Sequence, residues 1–462
     1  MRSLSLEWHQ DFLRILTHVT CDLLYLPTQS TCLVPERKAL TGVSFINFGA
    51  DNSLPTLVYN ASSSPSSLHT LLIISFDFLP RLMAGGLATA MWAFLILLIL
   101  APSGPLAEAK CKFQAIFNFG DSNSDTGGFW AAFPAQHGPF GMTYFKRLSG
   151  RASDGRLVID FLAQALGLPF LSPYLRSIGS DFRHGANFAT LASTVLLPNT
   201  SLFVSGISPF SLAIQLNQIK QLKAQVLTSK KLGYLPPTSI FSDALYTIDI
   251  GQNDFTSNLK SIGSEEVKQS LSQVVNQISW TIKDLYDMGG RNFMVFNLAP
   301  VGCYPSFLTE LSPSASDLDV YGCMISINSA VVDYNNMLNV ALHQTREMLP
   351  DASIIYVDTH SVKLGLFQHP KDHGLRYGIK SCCGYGGGEH NFNQEVFCGN
   401  SKVINGQNVT AEACADPENY VSWDGIHATE AANKLITMAV LKESYTNPPF
   451  NLSTLCHLQP IG

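Results

Sequence analysis

The chain has 462 residues, and its 29 Lys and Arg against 35 Asp and Glu give a formal net charge of −6. Charged residues make up 14% of it, against about 25% in an average globular protein, so it lacks the clustered Lys and Arg that a nucleic-acid partner requires. The length allows two or three domains, but strand and helix signals alternate through the middle with no break in composition, which favours one large α/β domain.

Residues 1–82 show no sustained periodicity, and the Ser-rich run from Asn60 to Ser67 reads as linker, so this segment is expected to be an extension foreign to the domain. From residue 83 the pattern changes. Arg81 precedes Met83, the run from Met91 to Ala101 is apolar, and Ala107-Glu108-Ala109 supplies an A-x-A site. Together these make a secretory signal over residues 83–109, with the start at Met83 or Met91. The alternative is a signal anchor in endomembranes, since the apolar run over residues 84–101 approaches the length of a membrane span.

Beyond that point the chain alternates. Phe113 to Phe117 is a short apolar run, read as a buried strand, and it breaks into Gly120-Asp121-Ser122-Asn123-Ser124-Asp125, the residues of a tight turn. A serine at such a corner has its hydroxyl lifted off the end of a sheet, where ligands of open α/β folds bind. Ser122 is therefore a candidate nucleophile, with Asp121 and Asp125 bracing its turn. The aromatic residues after it (Phe129, Trp130, Phe133, Phe140, Tyr144, Phe145) are candidates for pocket lining or core.

Further strand-like runs span Ala244 to Ile250, Phe293 to Leu298 and Ser353 to Val357, each short enough to be covered on both faces. Between them lie helical periods. Leu212, Leu216, Ile219, Leu222 and Val226 share one face; Val267 to Leu285 repeats at three to four and stops at Gly289-Gly290; a third helix spans Met324 to Met348. Strands alternating with helices imply a parallel sheet with right-handed crossovers. From Leu364 to Trp423 periodicity fails in a Gly-, Asn- and Cys-rich stretch, and so long a loop in a compact domain tends to be functional. Thr429 to Leu441 reads as a closing helix, followed by a tail over residues 443–462.

A serine hydroxyl needs a base, and the base an orienting acid. Trp423-Asp424-Gly425-Ile426-His427 supplies both: the carboxylate three residues before the imidazole can hold Nδ1 and leave Nε2 for Ser122. Donors for an oxyanion are sought in the backbone N–H groups of Ser122 and of Gly185, in His184-Gly185-Ala186-Asn187, and in the Asn253 amide of Gly251-Gln252-Asn253-Asp254. Singly, each residue has a plain structural reading as turn-former, packing glycine or helix start. Their order along the chain, each after a strand-like run, points to a hydrolase.

These four blocks resemble the SGNH or GDSL family of serine esterases and lipases, in its plant branch. The likeness covers Phe113 to Leu441. Gly150-Arg151-x-x-Asp154-Gly155-Arg156 is similar to a plant block, and Phe140 to Phe145 to the nodulin-like or acetylesterase-like subgroup. Three residues depart from the pattern: Asn123 stands in place of Leu, Gly128 of Asn and Ala428 of Pro, and none of them removes a catalytic group. The resemblance implies a three-layer α/β/α sandwich with a mostly parallel, flavodoxin-like sheet over residues 110–442. It implies Ser122 as nucleophile, Asp424 and His427 as its base pair, Gly185 and Asn253 as oxyanion donors, and no metal or organic cofactor.

After removal of residues 1–109, Cys111, Cys303, Cys323, Cys382, Cys383, Cys398, Cys414 and Cys456 remain. An even count in an exported chain argues for disulfides. Cys303 and Cys323 bracket a short loop and are the first expected pair; the other pairings stay open. A zinc reading of Cys382, Cys383, Cys398 and Cys414 with His390 lacks paired C-x-x-C spacing. Asn199, Asn408 and Asn451 head N-x-[ST] sequons, as in a secreted glycoprotein.

The expected activity is that of a secreted carboxylic-ester hydrolase acting on a small-molecule or polysaccharide ester, outside the cell or in its wall, with no stable membrane partner after signal cleavage. The alternatives are an acyltransferase using the same triad and a non-catalytic glycan-binding glycoprotein of the cell wall.

Overall fold

A computed structural model describes residues 111–199, 206–229, 233–263 and 265–462. The expected extension over 1–82 and the signal over 83–109 lie outside these residues.

The central sheet follows from the short apolar runs. β1 (Ala115–Gly120) is buried at every position and pairs in parallel with β2 (Gly185–Asn187) on one side and β3 (Ala244–Asp249) on the other. β4 (Asn292–Phe296) and β5 (Ser353–Val357) extend the parallel set, giving the order β2-β1-β3-β4-β5. This is the flavodoxin-like order, in which the direction of strand addition reverses at β1.

That reversal sorts the helices to opposite faces, because right-handed crossovers running in opposite directions pack on opposite sides. α1 (Val158–Ala165) lies between β1 and β2 in sequence. α2 (Leu212–Thr228) precedes β3, where it is followed by the short α3 (Gln252–Thr256) and the long α4 (Glu265–Asp287). After β4 come α5 (Pro305–Leu311) and α6 (Ile325–Met348), and after β5 come α7 (Thr359–Gln368) and, last, α8 (Glu430–Val440). α2, α4 and α6 pack together as one layer; α1, α7 and α8 form the other. The three-layer α/β/α sandwich is thus present, and Leu212, Leu216, Ile219, Leu222 and Val226 of α2 are buried as their spacing predicts.

Two expectations need adjustment. The stretch from Leu364 to Trp423 is not wholly irregular. It finishes α7 and adds β6 (Tyr377–Ser381), a hairpin of β7 (Ser401–Ile404) and β8 (Gln407–Thr410), and β9 (Tyr420–Ser422), which pairs with β6. β7 and β8 are largely exposed, β6 is half-buried and β9, though buried, is three residues long, so no alternating pattern registers. The tail is also more than an appendage. β10 (Thr446–Asn447) joins the main sheet antiparallel to β5, Leu452 and Cys456 are buried, and Cys456 is bonded to Cys111.

The expected Cys303–Cys323 disulfide is present, and Cys382–Cys414 and Cys383–Cys398 complete the set. With their sulfurs paired, these last four cysteines have no thiolates for a zinc ion, and His390 Nδ1 lies 3.0 Å from the Ile379 carbonyl. Among the described residues no helix is long and apolar enough to cross a membrane.

Candidate active site

The site lies at the carboxyl ends of β1 and β3, where the strand order reverses. The turn after β1 is held by its own carboxyls. Asp121 Oδ1 accepts from the backbone N–H and the amide of Asn123, both at 2.9 Å. Asp125 accepts from the N–H groups of Gly127, Gly128, Phe129 and, across a gap of 66 residues, Leu191. These are bracing roles, as the sequence suggests for both.

A second support comes from within the sheet and was not legible beforehand. Thr247, Asn118 and Asn187 stand side by side on β3, β1 and β2. Thr247 Oγ1 donates to Asn118 Oδ1 at 2.7 Å, and Asn118 Nδ2 donates to Asn187 Oδ1 at 2.8 Å. Asn187 Nδ2 then donates to the Ser124 carbonyl at 2.7 Å. All three are buried, so this polar ladder fixes the Ser122 turn from below; a satisfied buried network specifies one geometry.

The other half of the site arrives from the far end of the chain. Asp424 Oδ1 accepts from the N–H groups of Ile426 and His427 at 3.0 and 2.9 Å, closing a turn about Gly425. Gly425 has φ 99°, and an added Cβ would sit 2.6 Å from the Phe392 ring, so glycine is required there. Its carbonyl accepts from the N–H and hydroxyl of Ser306 on α5. The neighbouring backbone is pinned by Cys382 and Cys383, whose N–H groups donate to the carbonyls of Ser422 and Trp423. The two disulfides of the 380s therefore anchor the segment that presents the imidazole.

The result is a continuous relay. His427 Nδ1 lies 2.7 Å from Asp424 Oδ2, and His427 Nε2 lies 2.8 Å from Ser122 Oγ. An ionised carboxylate only accepts, so Nδ1 carries the proton and Nε2 accepts from the serine hydroxyl. Burial alone would raise the Asp424 carboxyl. The charge and hydrogen bond of His427 outweigh it and bring the group below its ordinary value. Burial likewise disfavours the imidazolium, but Asp424 and then Asp121 reverse this, so His427 is a stronger base than a free imidazole.

Asn253 lies in the first turn of α3, shortly after β3, and one of its amide hydrogens is used on the Ser193 carbonyl at 2.8 Å. The other amide hydrogen and the backbone N–H of Ser122 have no hydrogen-bond partner among the described residues. Gly185 does not join them. It sits inside β2 opposite Ile116, its N–H donates to the Phe182 carbonyl, and a Cβ there would lie 1.8 Å from the Ile116 oxygen. Its close approach is to β1, not to a substrate, so the oxyanion role expected for Gly185 is withdrawn.

The loop from Thr190 to Leu196 takes its place at the site's edge. Asp254 holds the N–H groups of Val195 and Leu196. Between the anchored Leu191 and Ser193, Ala192 adopts φ 61°, a left-handed conformation that non-glycine residues avoid, and its N–H has no partner among the described residues. Alanine carries no sequence signal for this.

Residues 116–440 match the family described as GDSL-like Lipase/Acylhydrolase. The chain belongs to this family. A GDSL esterase/lipase of Arabidopsis thaliana is 65% identical over 370 residues, covering 79% of this chain and 97% of the relative. An esterase of Hevea brasiliensis is 42% identical, covering 76% and 91%. A second Arabidopsis thaliana relative, named alpha-L-fucosidase 3, is 42% identical, covering 75% and 95%. As a GDSL-family member with esterase relatives, the chain is an ester-bond hydrolase.

Proposed function

We propose that this GDSL-family hydrolase works through an acyl-enzyme on Ser122. The observation that carries the reading is the unbroken relay from Asp424 through His427 to Ser122, at 2.7 and 2.8 Å. His427 takes the hydroxyl proton as Ser122 Oγ attacks the ester carbonyl, and Asp424 stabilises the imidazolium that forms. The N–H of Ser122, the amide of Asn253 and, in place of Gly185, the N–H of Ala192 receive the oxyanion. His427 then protonates the departing alcohol, and water enters by the same route to release the acid. The reaction calls for no metal or organic cofactor.

The name of the fucosidase relative calls for different chemistry, in which two carboxyls flank a glycosidic bond. Here Asp424 is committed to His427, and Asp121 is buried within the nucleophile turn. Ester hydrolysis fits these residues better.

The protein is exported, in this reading, with residues 1–82 foreign to it, a signal over 83–109 cleaved after Ala109, a catalytic unit over 110–442 and a closing segment over 443–462. Four disulfides suit an oxidising compartment. Asn199 and Asn408 are exposed and open to glycans; Asn451 is half-buried, with its side-chain Oδ1 accepting from the N–H and hydroxyl of Ser453. The substrate is a small-molecule or polysaccharide ester. The test is a panel of esters varying in acyl length and alcohol, run on secreted protein with and without an acceptor alcohol. Release of free acid without an acceptor supports hydrolysis; folded protein that turns over no ester contradicts it.

A further inference from the structure

A cleft of about 270 Å³ opens between α5 and the end of α3, where the chain passes into the 3₁₀ turn Leu259–Ser261. Both of its walls are tied to the catalytic machinery. In α3 the Asn253 amide reaches the Ser193 carbonyl on one flank, while on the other Gln252 Oε1 accepts from the Tyr304 hydroxyl at 3.1 Å. One turn further along, beside both, Thr256 lines the cleft. In α5, Ser306 Oγ donates to the Gly425 carbonyl at 2.9 Å, in the turn that presents His427. The next residue, Phe307, lines the cleft, its ring stacked on Tyr304 with centroids 6.2 Å apart and planes at 14°. The cleft thus lies against the helix that carries the oxyanion donor and the helix that braces the base. His427 protonates the departing alcohol, so the alcohol leaves on the side that α5 supports.

The lining has a definite chemistry. Six of its nine residues are polar or charged. Among the described residues the Thr256 hydroxyl, the Lys260 ammonium and the Glu310 carboxylate have no hydrogen-bond or ion-pair partner, and the two charges do not pair with each other. An apolar chain laid here would strip water from these groups and return nothing. An ionic ligand would meet one charge of each sign. A neutral polyol can use both, accepting from the ammonium and donating to the carboxylate, while half-buried Phe307 offers a ring face to its C–H groups. The volume falls just below the range of about 300–1,000 Å³ that holds drug-sized ligands, which suits a single ring better than a long chain.

We propose that the cleft between α3 and α5 is the subsite for the alcohol portion of the ester, and that this alcohol is a neutral sugar. Phe307 supplies the stacking face, and Thr256, Lys260 and Glu310 hold the hydroxyls. The assignment rests on the serine-ester reading of the site and narrows the substrate to an acylated carbohydrate.

The experiment compares esters that share one acyl group: mono-O-acetyl methyl glycosides of glucose, galactose and xylose, against ethyl acetate and hexyl acetate. At least one sugar acetate should have a higher kcat/KM than both alkyl acetates. Phe307→Leu should lower the ratio of its kcat/KM to that of ethyl acetate by about three- to tenfold, whereas Phe307→Tyr keeps the ring and should keep the ratio. Where Phe307→Leu does not fold, Lys260→Met/Glu310→Gln alters two exposed side chains and should lower the ratio by a similar factor. An enzyme that prefers an alkyl acetate to all three sugar acetates, or a ratio that the folded variants leave in place, overturns the proposal. Failure of the serine reading has a different mark, turnover of these same esters by the Ser122→Ala protein.

Discussion

The guanidinium of Arg156 meets the carboxylate of Glu430 at 2.7 Å, with side-chain exposures of 6% and 11%. Glu430 is three residues past His427, and the second half of the Gly150–Arg156 block closes on that segment, while Arg151 in its first half pairs with Asp160. Arg156 N–H donates to Glu430 Oε2, Asp154 Oδ1 accepts the Glu430 N–H, and Ser153 Oγ donates to the Ala428 carbonyl. The Ser153–Arg156 half of the block read in the sequence as a family signature is therefore a clamp on the segment of chain that delivers the base.

Breaking the clamp from one side should be costly. Arg156→Leu leaves the Glu430 carboxylate nearly buried without its partner, which costs about 3–5 kcal/mol. Urea unfolding should register that loss, and Arg156→Leu/Glu430→Leu should recover a large part of it. A single variant as stable as the parent would show that the pair does not hold this segment.

The tautomer of His427 depends on Asp424. In Asp424→Asn the Oδ1 contacts to the Ile426 and His427 N–H groups survive, but an amide now faces Nδ1 and the imidazole turns its proton toward Ser122. Turnover should fall by about 10⁴ while circular dichroism is unchanged. A loss of less than about tenfold would mean that Asp424 does not orient the base.

The buried acids predict how stability follows pH. Burial pushes Asp121 up to about 7 and Asp125 and Asp254 up to about 6, from an ordinary 3.8. Between those values the folded state binds more protons than the unfolded one, so these groups weaken the fold as pH rises through 6 to 7. His427, raised above 6.5, acts in the same direction. His360, lowered by burial, opposes it, since it loses stability as pH falls through 6.5. With the acids dominant, denaturant midpoints should be higher near about pH 5 than near about pH 7.5. The reverse order would mean that these carboxyls are not desolvated as described.

The sequence made some of this readable and hid the rest for physical reasons. Parallel strands covered on both faces appear as short apolar runs, and the α2 face repeats because burial selects leucine and isoleucine at that spacing. The relay was readable because each half is local: a turn after β1, and a carboxylate three residues before an imidazole. The ladder through Thr247, Asn118 and Asn187 depends on strand register, which no local pattern encodes. Gly185 signals a close approach without saying to what, and the answer was the backbone of Ile116. Ala192 bends as glycine would while carrying no mark of it, and disulfide pairing beyond Cys303–Cys323 waits on topology.

The account depends on Ser122 being the atom that attacks. A fluorophosphonate probe, with the adduct located by peptide mass, tests this directly. The adduct should fall on the peptide carrying Ser122 and disappear in a folded Ser122→Ala protein, together with ester turnover. An adduct on a different residue, or turnover that survives the substitution, would contradict the account.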